Sequence, residues 1–294
     1  MIFAAPISRV SVLARGARLL LIAGATAALA SCSMFDDFNP FGAEKYKMVI
    51  EPDVPASKAY DQGLAQLANG APADAAKKFT DLGEKFPDSD WARKGLLMTT
   101  YAQYEGGDFD SAESSAERYV KLYPKSQEAA YALYLEASSY YRQIPDISRD
   151  QERAAKALVA FQQVIKDYPN SEYVDDSKYK IQVTMDQLAG KEMSIGRFYL
   201  NRRNYTAAIN RFRNVLTAYQ TTRHSEEALY RLVEGYLGLG VTDEAQTAAA
   251  VLGHNFPDGQ WSKDAYNLLK SGGLSPQENQ QSWISKLYHS VVPS

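Results

Sequence analysis

An internal repeat constrains the fold of this chain more than any other feature of its sequence. Five segments end alike, with an aromatic residue followed by a closing residue, and the closing residues are Pro87, Pro124, Pro169, Gln220 and Pro257. Alanine stands 12 residues before every closing residue, at Ala75, Ala112, Ala157, Ala208 and Ala245. Phenylalanine stands eight residues before three of them, at Phe79, Phe161 and Phe212. Such a fixed period indicates stacked copies of one structural unit.

The spacing has a physical cause in a pair of packed helices. A small alanine lets the second helix of a hairpin approach the first, phenylalanine one turn later fills the remaining gap, and proline ends the helix. This is the A-x₃-F…P half of the tetratricopeptide pattern, and Ile195–Tyr199 (IGRFY) matches its other half. One hairpin cannot bury its apolar face alone. The sequence therefore predicts an all-α, tetratricopeptide-like helical hairpin solenoid of about five repeats.

Departures from the ideal period predict how the repeats are organised. Residues 143–150 (QIPDISRD) are polar and contain proline, which predicts a loop inside the third unit, and residues 171–192 read as one long first helix. We expect repeats 1–3 over residues 56–170 and repeats 4–5 over residues 171–270. Residues 271–294 are expected to form a flexible tail.

The tail contains one short amphipathic segment. Trp283, Ile284, Leu287 and Tyr288 share one face of a helix. This face would dock either on the last repeat or on a partner.

The start of the chain has the layout of an export signal. Three arginines (Arg9, Arg15 and Arg18) precede a 12-residue apolar run, Leu19–Ala30, which is too short to span a bilayer comfortably. The run leads into Leu29-Ala-Ser-Cys32, which resembles the lipobox of bacterial lipoproteins; Cys32 is the sole cysteine. The resemblance implies a signal peptide over residues 1–31 and an N-acyl and S-diacylglycerol lipid on Cys32. The alternative is an ordinary signal peptide with an incidental cysteine.

Residues 32–55 are expected to form an acylated tether, because they hold three prolines and no helical periodicity. Phe35, Phe38 and Phe41 would either enter the membrane interface or pack on the first repeat. The common inner-membrane retention signal is an Asp after the lipidated cysteine, whereas Ser33 stands here. The lipoprotein resemblance therefore implies the periplasmic face of the outer membrane.

Charge and missing motifs exclude several functions. The net charge is −3, and without residues 1–31 it is −6 (29 basic against 35 acidic residues), which disfavours nucleic-acid binding. No phosphate loop, H-E-x-x-H or G-x-S-x-G motif occurs, and His224, His254 and His289 lack metal-ligand spacing. We expect no enzyme, no metal and no cofactor other than the covalent lipid.

Two groups of residues are candidate binding sites. The first helices of the first three units line the inner face in the repeat register, and their aromatic and aliphatic residues suit an extended peptide. These are Tyr60, Leu64, Leu97, Tyr101, Tyr104, Tyr134 and Tyr141. The alternative is that these residues pack between helices. Unit four carries a basic cluster that would either meet an acidic partner or remain solvated surface: Arg197, Arg202, Arg203, Arg211 and Arg213.

Four segments resemble the BamD (ComL) family of repeat lipoproteins of the β-barrel assembly machinery: Tyr168–Tyr173, Asp186–Glu192, Gly196–Tyr199 and Arg202–Arg211. The resemblance implies binding to the BamA barrel subunit through its periplasmic domains, to other Bam lipoproteins, and to unfolded outer-membrane proteins that end in an aromatic β-signal. It assigns Arg197, Arg202, Arg203 and Arg211 to BamA docking and the tyrosines to substrate. The tail beyond Ser271 and the loop at 143–153 depart from the family, which puts accessory-lipoprotein contacts in doubt.

Two rival functions remain open from the sequence. A pilotin-like repeat lipoprotein would assist secretin assembly, but its repeats should lie nearer the 34-residue period. A periplasmic scaffold for envelope synthesis often begins with a coiled coil, which this chain lacks.

Overall fold

The computed structural model describes residues 54–291, and in that range the chain is helical without a strand. The helices are α1 (Ala56–Ala68), α2 (Pro72–Lys85), α3 (Asp90–Glu105), α4 (Phe109–Leu122), α5 (Ala129–Arg142), α6 (Glu152–Asp167), α7 (Val174–Asn201), α8 (Tyr205–Ala218), α9 (Ser225–Leu239), α10 (Thr242–Asn255), α11 (Gln260–Ser271) and α12 (Trp283–Val291). The predicted all-α class is confirmed. The predicted signal peptide, Cys32 and most of the tether lie outside the described residues.

Ten of these helices form five stacked hairpins, from α1–α2 to α9–α10. Each second helix also packs on the first helix of the next hairpin, and the first helices of successive hairpins contact one another. Within residues 54–291, successive second helices make no comparable contact. The first helices therefore lie closer together and form the inner side of the stack. Helix α11 packs on α9 and α10 and covers the last hairpin.

The repeated alanines and phenylalanines have the packing roles that their spacing predicts. All five alanines and all three phenylalanines are fully buried. In units one and four the phenylalanine ring lies against a glycine of the first helix: a Cβ on Gly63 would lie 2.5 Å from Phe79, and one on Gly196 would collide with Phe212. In these two units the glycine of the first helix and the phenylalanine of the second therefore set how closely the helices pack. The tetratricopeptide-like prediction is confirmed.

Tight turns join the two helices of four hairpins. Gly70, Gly107 and Gly240 have φ of 72°, 77° and 77°, the left-handed region that glycine adopts without a Cβ penalty. Arg203 stands at the same repeat position in unit four and has φ of 59°. A non-glycine residue is strained there by about 1 kcal/mol.

The loop of unit three packs against the long helix α7. Gln187 Nε2 donates to the Pro145 carbonyl at 3.1 Å, and Lys191 Nζ donates to the Ser148 carbonyl at 3.0 Å. The end of the Ile147 side chain lies 2.6 Å from the position that a Cβ on Gly190 would take. The inserted loop thus supports the middle of α7, which has 28 residues.

The described part of the C-terminal tail packs on the last two hairpins. Residues 272–282 run along α10, where the Gln277 amide donates to the Gln246 carbonyl at 3.3 Å and Ser282 Oγ donates to Glu244 at 2.6 Å. In α12, Ile284 is fully buried and Tyr288 is 8% exposed. The amphipathic face of the tail therefore docks on the repeats of its own chain, which is the first of the two alternatives.

We expect Gly196→Ala to lower the free energy of unfolding by about 1–3 kcal/mol, because the new methyl group would overpack a buried ring that cannot move aside. Urea unfolding followed by circular dichroism measures the change. Gly83→Ala is the matched control, since its Cβ would meet only a carbonyl oxygen at 3.9 Å and a helix gains about 0.5–1 kcal/mol from the substitution. Equal effects of both substitutions would contradict the packing explanation.

The half-buried carboxyl of Glu136 makes the stability of the fold depend on pH. Burial, and then the charges of Glu117 and Glu113, raise the pKa of Glu136 from 4.5 to about 7. The folded chain holds this proton more tightly than the unfolded chain, so the free energy of unfolding falls as the pH rises from 4.5 through about 7.

We expect Glu136→Gln to raise the free energy of unfolding by about 1–3 kcal/mol at about pH 8, and by much less at about pH 5, because the amide carries no charge to bury. Urea unfolding at the two pH values measures this difference. The exposed Glu84→Gln should show no such pH-dependent gain. A gain for Glu136→Gln that is the same at both pH values would refute the explanation.

Candidate binding surface on the first helices

Four tyrosines, three on the first helices α3 and α5 and one immediately before α7, form a continuous row of ring contacts, here called the tyrosine row: Tyr101, Tyr131, Tyr134 and Tyr173. The Tyr101 and Tyr131 ring centroids lie 6.4 Å apart. The Tyr173 ring stacks on both Tyr131 and Tyr134, at 5.3 Å and 4.9 Å. All four side chains are half-buried. The row therefore joins α3, α5 and the start of α7 across hairpins two to four.

The hydroxyls of Tyr131 and Tyr173 stay protonated at neutral pH, because the pKa of each is raised. Burial first, and then the neighbouring tyrosines, raise the pKa of Tyr131. Burial first, and then Glu172, raise the pKa of Tyr173 to about 12. Such rings offer apolar faces together with hydroxyl groups that donate or accept hydrogen bonds.

A lysine lies beneath one end of the row. Lys180 Nζ lies 4.7 Å from the Tyr134 ring centroid and donates to the Tyr134 hydroxyl and to Asp176. Burial works to lower the pKa of Lys180, but these hydrogen bonds outweigh it and the pKa is raised. Asp176 in turn has a lowered pKa, because Lys180 and Tyr134 more than offset its burial. The pair is thus charged and mutually neutralised beside the rings.

The seven residues predicted to bind a peptide on the inner face have different surroundings in the structure. Tyr101 and Tyr134 belong to the tyrosine row. Tyr60 packs on Phe79 and Trp91, Tyr104 on Phe109, and Tyr141 on Phe161, with centroid distances between 5.4 and 6.1 Å. Leu97 is half-buried against the cluster that contains Tyr119, Ala129 and Ala132, and Leu64 is 39% exposed. Several of the seven therefore pack between helices, which the sequence analysis gave as the alternative to peptide binding.

The five arginines of the basic cluster in unit four fall into two groups, those engaged within the chain and those left exposed. Arg197 Nη1 donates to both Glu227 carboxylate oxygens at 2.9 and 2.8 Å, and Arg211 pairs with Glu192 at 3.3 Å. Arg213 lies over the Trp283 ring, 4.4 Å from its centroid. These three guanidinium groups are thus engaged within the chain.

Arg202 and Arg203 lie exposed at the end of α7, and neither has an acidic partner within the described part of the chain. The Arg202 guanidinium carbon lies 4.2 Å from the ring centroid of Phe198, which is 49% exposed. Together Phe198, Arg202 and Arg203 form a basic and aromatic turn, here called the α7 turn. The backbone of Arg203 has a positive φ, and strained non-glycine residues of this kind cluster at functional sites.

Several residues of these surfaces were not among the predicted site residues. Tyr131 precedes Tyr134 by three residues, so helical spacing could have found it. Lys180, Asp176 and Phe198 carry no such signal, because their roles depend on neighbours in space. Between residues 54 and 291 no group of three or more acidic, His or Cys residues could hold a metal ion. None of the helices described combines the length and apolarity needed to cross a membrane.

Comparison with known proteins places the chain in a family. The family model described as YfiO, outer membrane lipoprotein, matches residues 52–252, which span the five hairpins up to the last turn of α10. The chain belongs to this family.

Three curated relatives of the chain share the name outer membrane protein assembly factor BamD. The protein from Caulobacter vibrioides is 43% identical, with 80% of this chain and 77% of its own length covered. The protein from Rickettsia prowazekii is 41% identical over 74% of this chain and 86% of its own length. A relative from Neisseria meningitidis serogroup A is 33% identical over 71% of this chain and 82% of its own length. The family resemblance drawn from the sequence motifs is confirmed.

Proposed function

We propose that this chain is the lipid-anchored periplasmic subunit of a β-barrel assembly complex in the outer membrane. It would bind the BamA barrel subunit, other lipoproteins of the complex and unfolded outer-membrane proteins, and promote barrel insertion. Family membership carries this proposal, since relatives at 33–43% identity are outer membrane protein assembly factors. A scaffold of stacked hairpins, whose inner side offers aromatic rings, suits the binding of extended chains.

The membrane anchor in this proposal is the lipid on Cys32, which lies outside the described residues. One acyl chain binds a bilayer only marginally, so a terminus with several chains is needed for stable anchoring. No cofactor is required for such a role.

We assign substrate binding to the tyrosine row. An unfolded outer-membrane protein presents an extended segment that ends in an aromatic residue. The half-buried rings can stack on that residue, while their hydroxyls reach its backbone groups. Because Lys180 is neutralised by Asp176, the row adds no net charge that would select among substrates.

We assign BamA docking to the α7 turn rather than to the whole basic cluster. Arg202 and Arg203 are exposed and have no intramolecular ion pair in the described range, whereas Arg197 and Arg211 already pair with glutamates. An arginine stacked on an exposed phenylalanine combines charge and apolar area, which is typical of interface anchors.

Affinity purification from detergent-solubilised membranes, with mass spectrometry of the recovered proteins, tests the complex and the docking surface together. We expect a stoichiometric barrel protein with repeated periplasmic domains. Arg202→Glu combined with Arg203→Glu should lower its recovery about tenfold or more, because two like charges would then face an acidic partner.

Lys77→Glu with Lys78→Glu is the matched control, since it reverses two adjacent exposed charges on α2. Recovery of a secretin without any such barrel would refute the proposed function. Full recovery with the α7-turn variant would refute the docking assignment alone.

For the tyrosine row we expect Tyr131→Ala with Tyr173→Ala to weaken the binding of a peptide that ends in phenylalanine about tenfold, since each lost ring contact is worth about 0.5–1.5 kcal/mol. Fluorescence anisotropy with a labelled synthetic peptide measures the dissociation constant. Tyr179→Ala with Tyr266→Ala is the control, because both residues are exposed outside the row. A peptide that binds the row variant as tightly as the control variant would contradict the assignment.

A further inference from the structure

The C-terminal helix α12 fills a groove on the outer side of units four and five. Trp283 Nε1 of α12 donates at 3.0 Å to the hydroxyl of Tyr236, near the end of α9. The guanidinium carbon of Arg213 on α8 lies 4.4 Å from the Trp283 ring centroid. Further along α12, Tyr288 lies beside Gln220, which precedes α9. Helix α12 therefore runs opposite to α9 and in the same direction as α8 and α10.

Units one and two repeat the arrangement of units four and five. Ala75 and Ala208 are 133 residues apart, and so are Ala112 and Ala245. The same shift carries the bounds of α2 onto those of α8 and the bounds of α4 onto those of α10. Each position around α12 therefore has a counterpart in the first two units.

The counterpart of the α12 groove is open in the part of the chain that the structure describes. A cavity of about 570 Å³ lies between α2 and α4, above α3, and is here called the N-terminal groove. Leu96, Thr99 and Gln103 of α3 form its floor, and Thr80 of α2 and Arg118 of α4 belong to its walls. The N-terminal groove is therefore the repeat equivalent of the site that α12 occupies.

Gln103 stands where the α12 groove accepts a hydrogen bond. It is the counterpart of Tyr236, whose hydroxyl accepts from Trp283 Nε1. Gln103 Oε1 is buried and has no hydrogen-bond partner among residues 54–291. A buried acceptor without a donor is destabilising. The N-terminal groove therefore lacks the indole N–H that α12 supplies to its own groove.

The α4 wall carries a positive charge where the α10 wall is apolar. Arg118 is the counterpart of Val251, which is 3% exposed. Arg118 is exposed and forms no ion pair in the described range. The carboxylate of Glu84 lies on the opposite wall, on α2. A helix in this groove is therefore favoured when it carries a carboxylate on the flank that faces α4 and none on the flank that faces α2.

Helix α12 shows which position of such a helix would meet Arg118. Ser282 Oγ donates to Glu244 of α10 at 2.6 Å. Two turns, or seven residues, further along each chain segment stand His289 and Val251. Because α12 and α10 run in the same direction and seven residues return to the same side of a helix, these two residues lie at the same level. The residue equivalent to His289 would therefore face Arg118.

We propose that the N-terminal groove binds an amphipathic helix of another protein, which presents a tryptophan to Gln103 and a carboxylate to Arg118. The binding mode is a helix laid into a groove, as α12 does within the chain. Helix α12 of a second copy would supply the tryptophan but not the charge, since residues 283–291 contain no Asp or Glu. The N-terminal groove lies on the outer side of the stack, so its occupant would leave the tyrosine row and the α7 turn accessible.

Peptides derived from α12 test the proposal on the purified full-length chain in detergent. The probe is a labelled peptide of residues 279–291 with His289→Glu, which keeps Trp283 and supplies the carboxylate. Fluorescence anisotropy measures its dissociation constant. We expect saturable binding, and we expect the peptide without His289→Glu to bind about two- to fivefold more weakly, the effect of one exposed ion pair.

Two substitutions in the groove separate the tryptophan contact from the charge contact. Gln103→Leu should weaken binding of the probe about two- to tenfold and leave binding of a Trp283→Phe probe unchanged, because phenylalanine has no N–H to donate. Arg118→Glu should weaken binding of the probe about two- to fivefold and tighten binding of a peptide with His289→Lys. The exposed Arg149→Glu is the matched control and should change neither.

Three results would overturn the proposal. The first is a probe that does not bind, and the second is an affinity that responds to neither Gln103→Leu nor Arg118→Glu, as when the peptide only displaces α12. Light scattering of the chain without peptide should show a monomer. The third result is a dimer that dissociates on Gln103→Leu, which would assign the groove to a second copy. Because no barrel protein is present, these results are independent of the proposed function.

Discussion

The contact between the two helices of each hairpin, one buried position on each, underlies the rest of this structure. In four units these two positions are 16 residues apart and their sizes are complementary: glycine on the first helix is paired with phenylalanine on the second, and threonine or valine is paired with alanine. In the two glycine pairs the phenylalanine ring lies directly against the glycine. The pairs are Gly63 and Phe79, Thr100 and Ala116, Gly196 and Phe212, and Val233 and Ala249. Since close packing tolerates neither voids nor overlap, each pair holds its helices at a similar separation. A regular stack follows, and with it an inner side on which side chains from different hairpins meet.

The sequence was sufficient to predict the repeat, because its signal is local. Alanine, phenylalanine and proline at fixed spacing report the packing within one hairpin, and the glycines report its turn. The site is different in kind. Arg197 pairs with Glu227, which is 30 residues away, and Tyr131 stacks on Tyr173, which is 42 residues away. These contacts depend on how neighbouring units are stacked, which spacing alone does not specify. Sequence therefore found the arginines and two of the four tyrosines of the row, but it could not distinguish the side chains engaged within the chain from the free ones.

The proposed binding surfaces depend on the stack in different ways. The tyrosine row needs hairpins two, three and four in register, since its rings come from α3, α5 and the start of α7. The α7 turn needs only the end of one helix and the hairpin that follows it. Helix α7 connects the two surfaces, because Tyr173 immediately precedes it and Arg202 immediately follows it. The loop of unit three packs on the middle of this helix. A single long helix thus joins the two surfaces rigidly.

The position of α12 has a consequence for how the stack comes apart. In a solenoid each repeat is held only by its neighbours, so the end repeats fray first. Helix α12 contacts α8, α9 and α10 at once, through Arg213, Tyr236 and the segment that runs along α10. The last two hairpins and α12 therefore open together or not at all. This makes the C-terminal end a cooperative unit, and local unfolding should begin elsewhere in the chain.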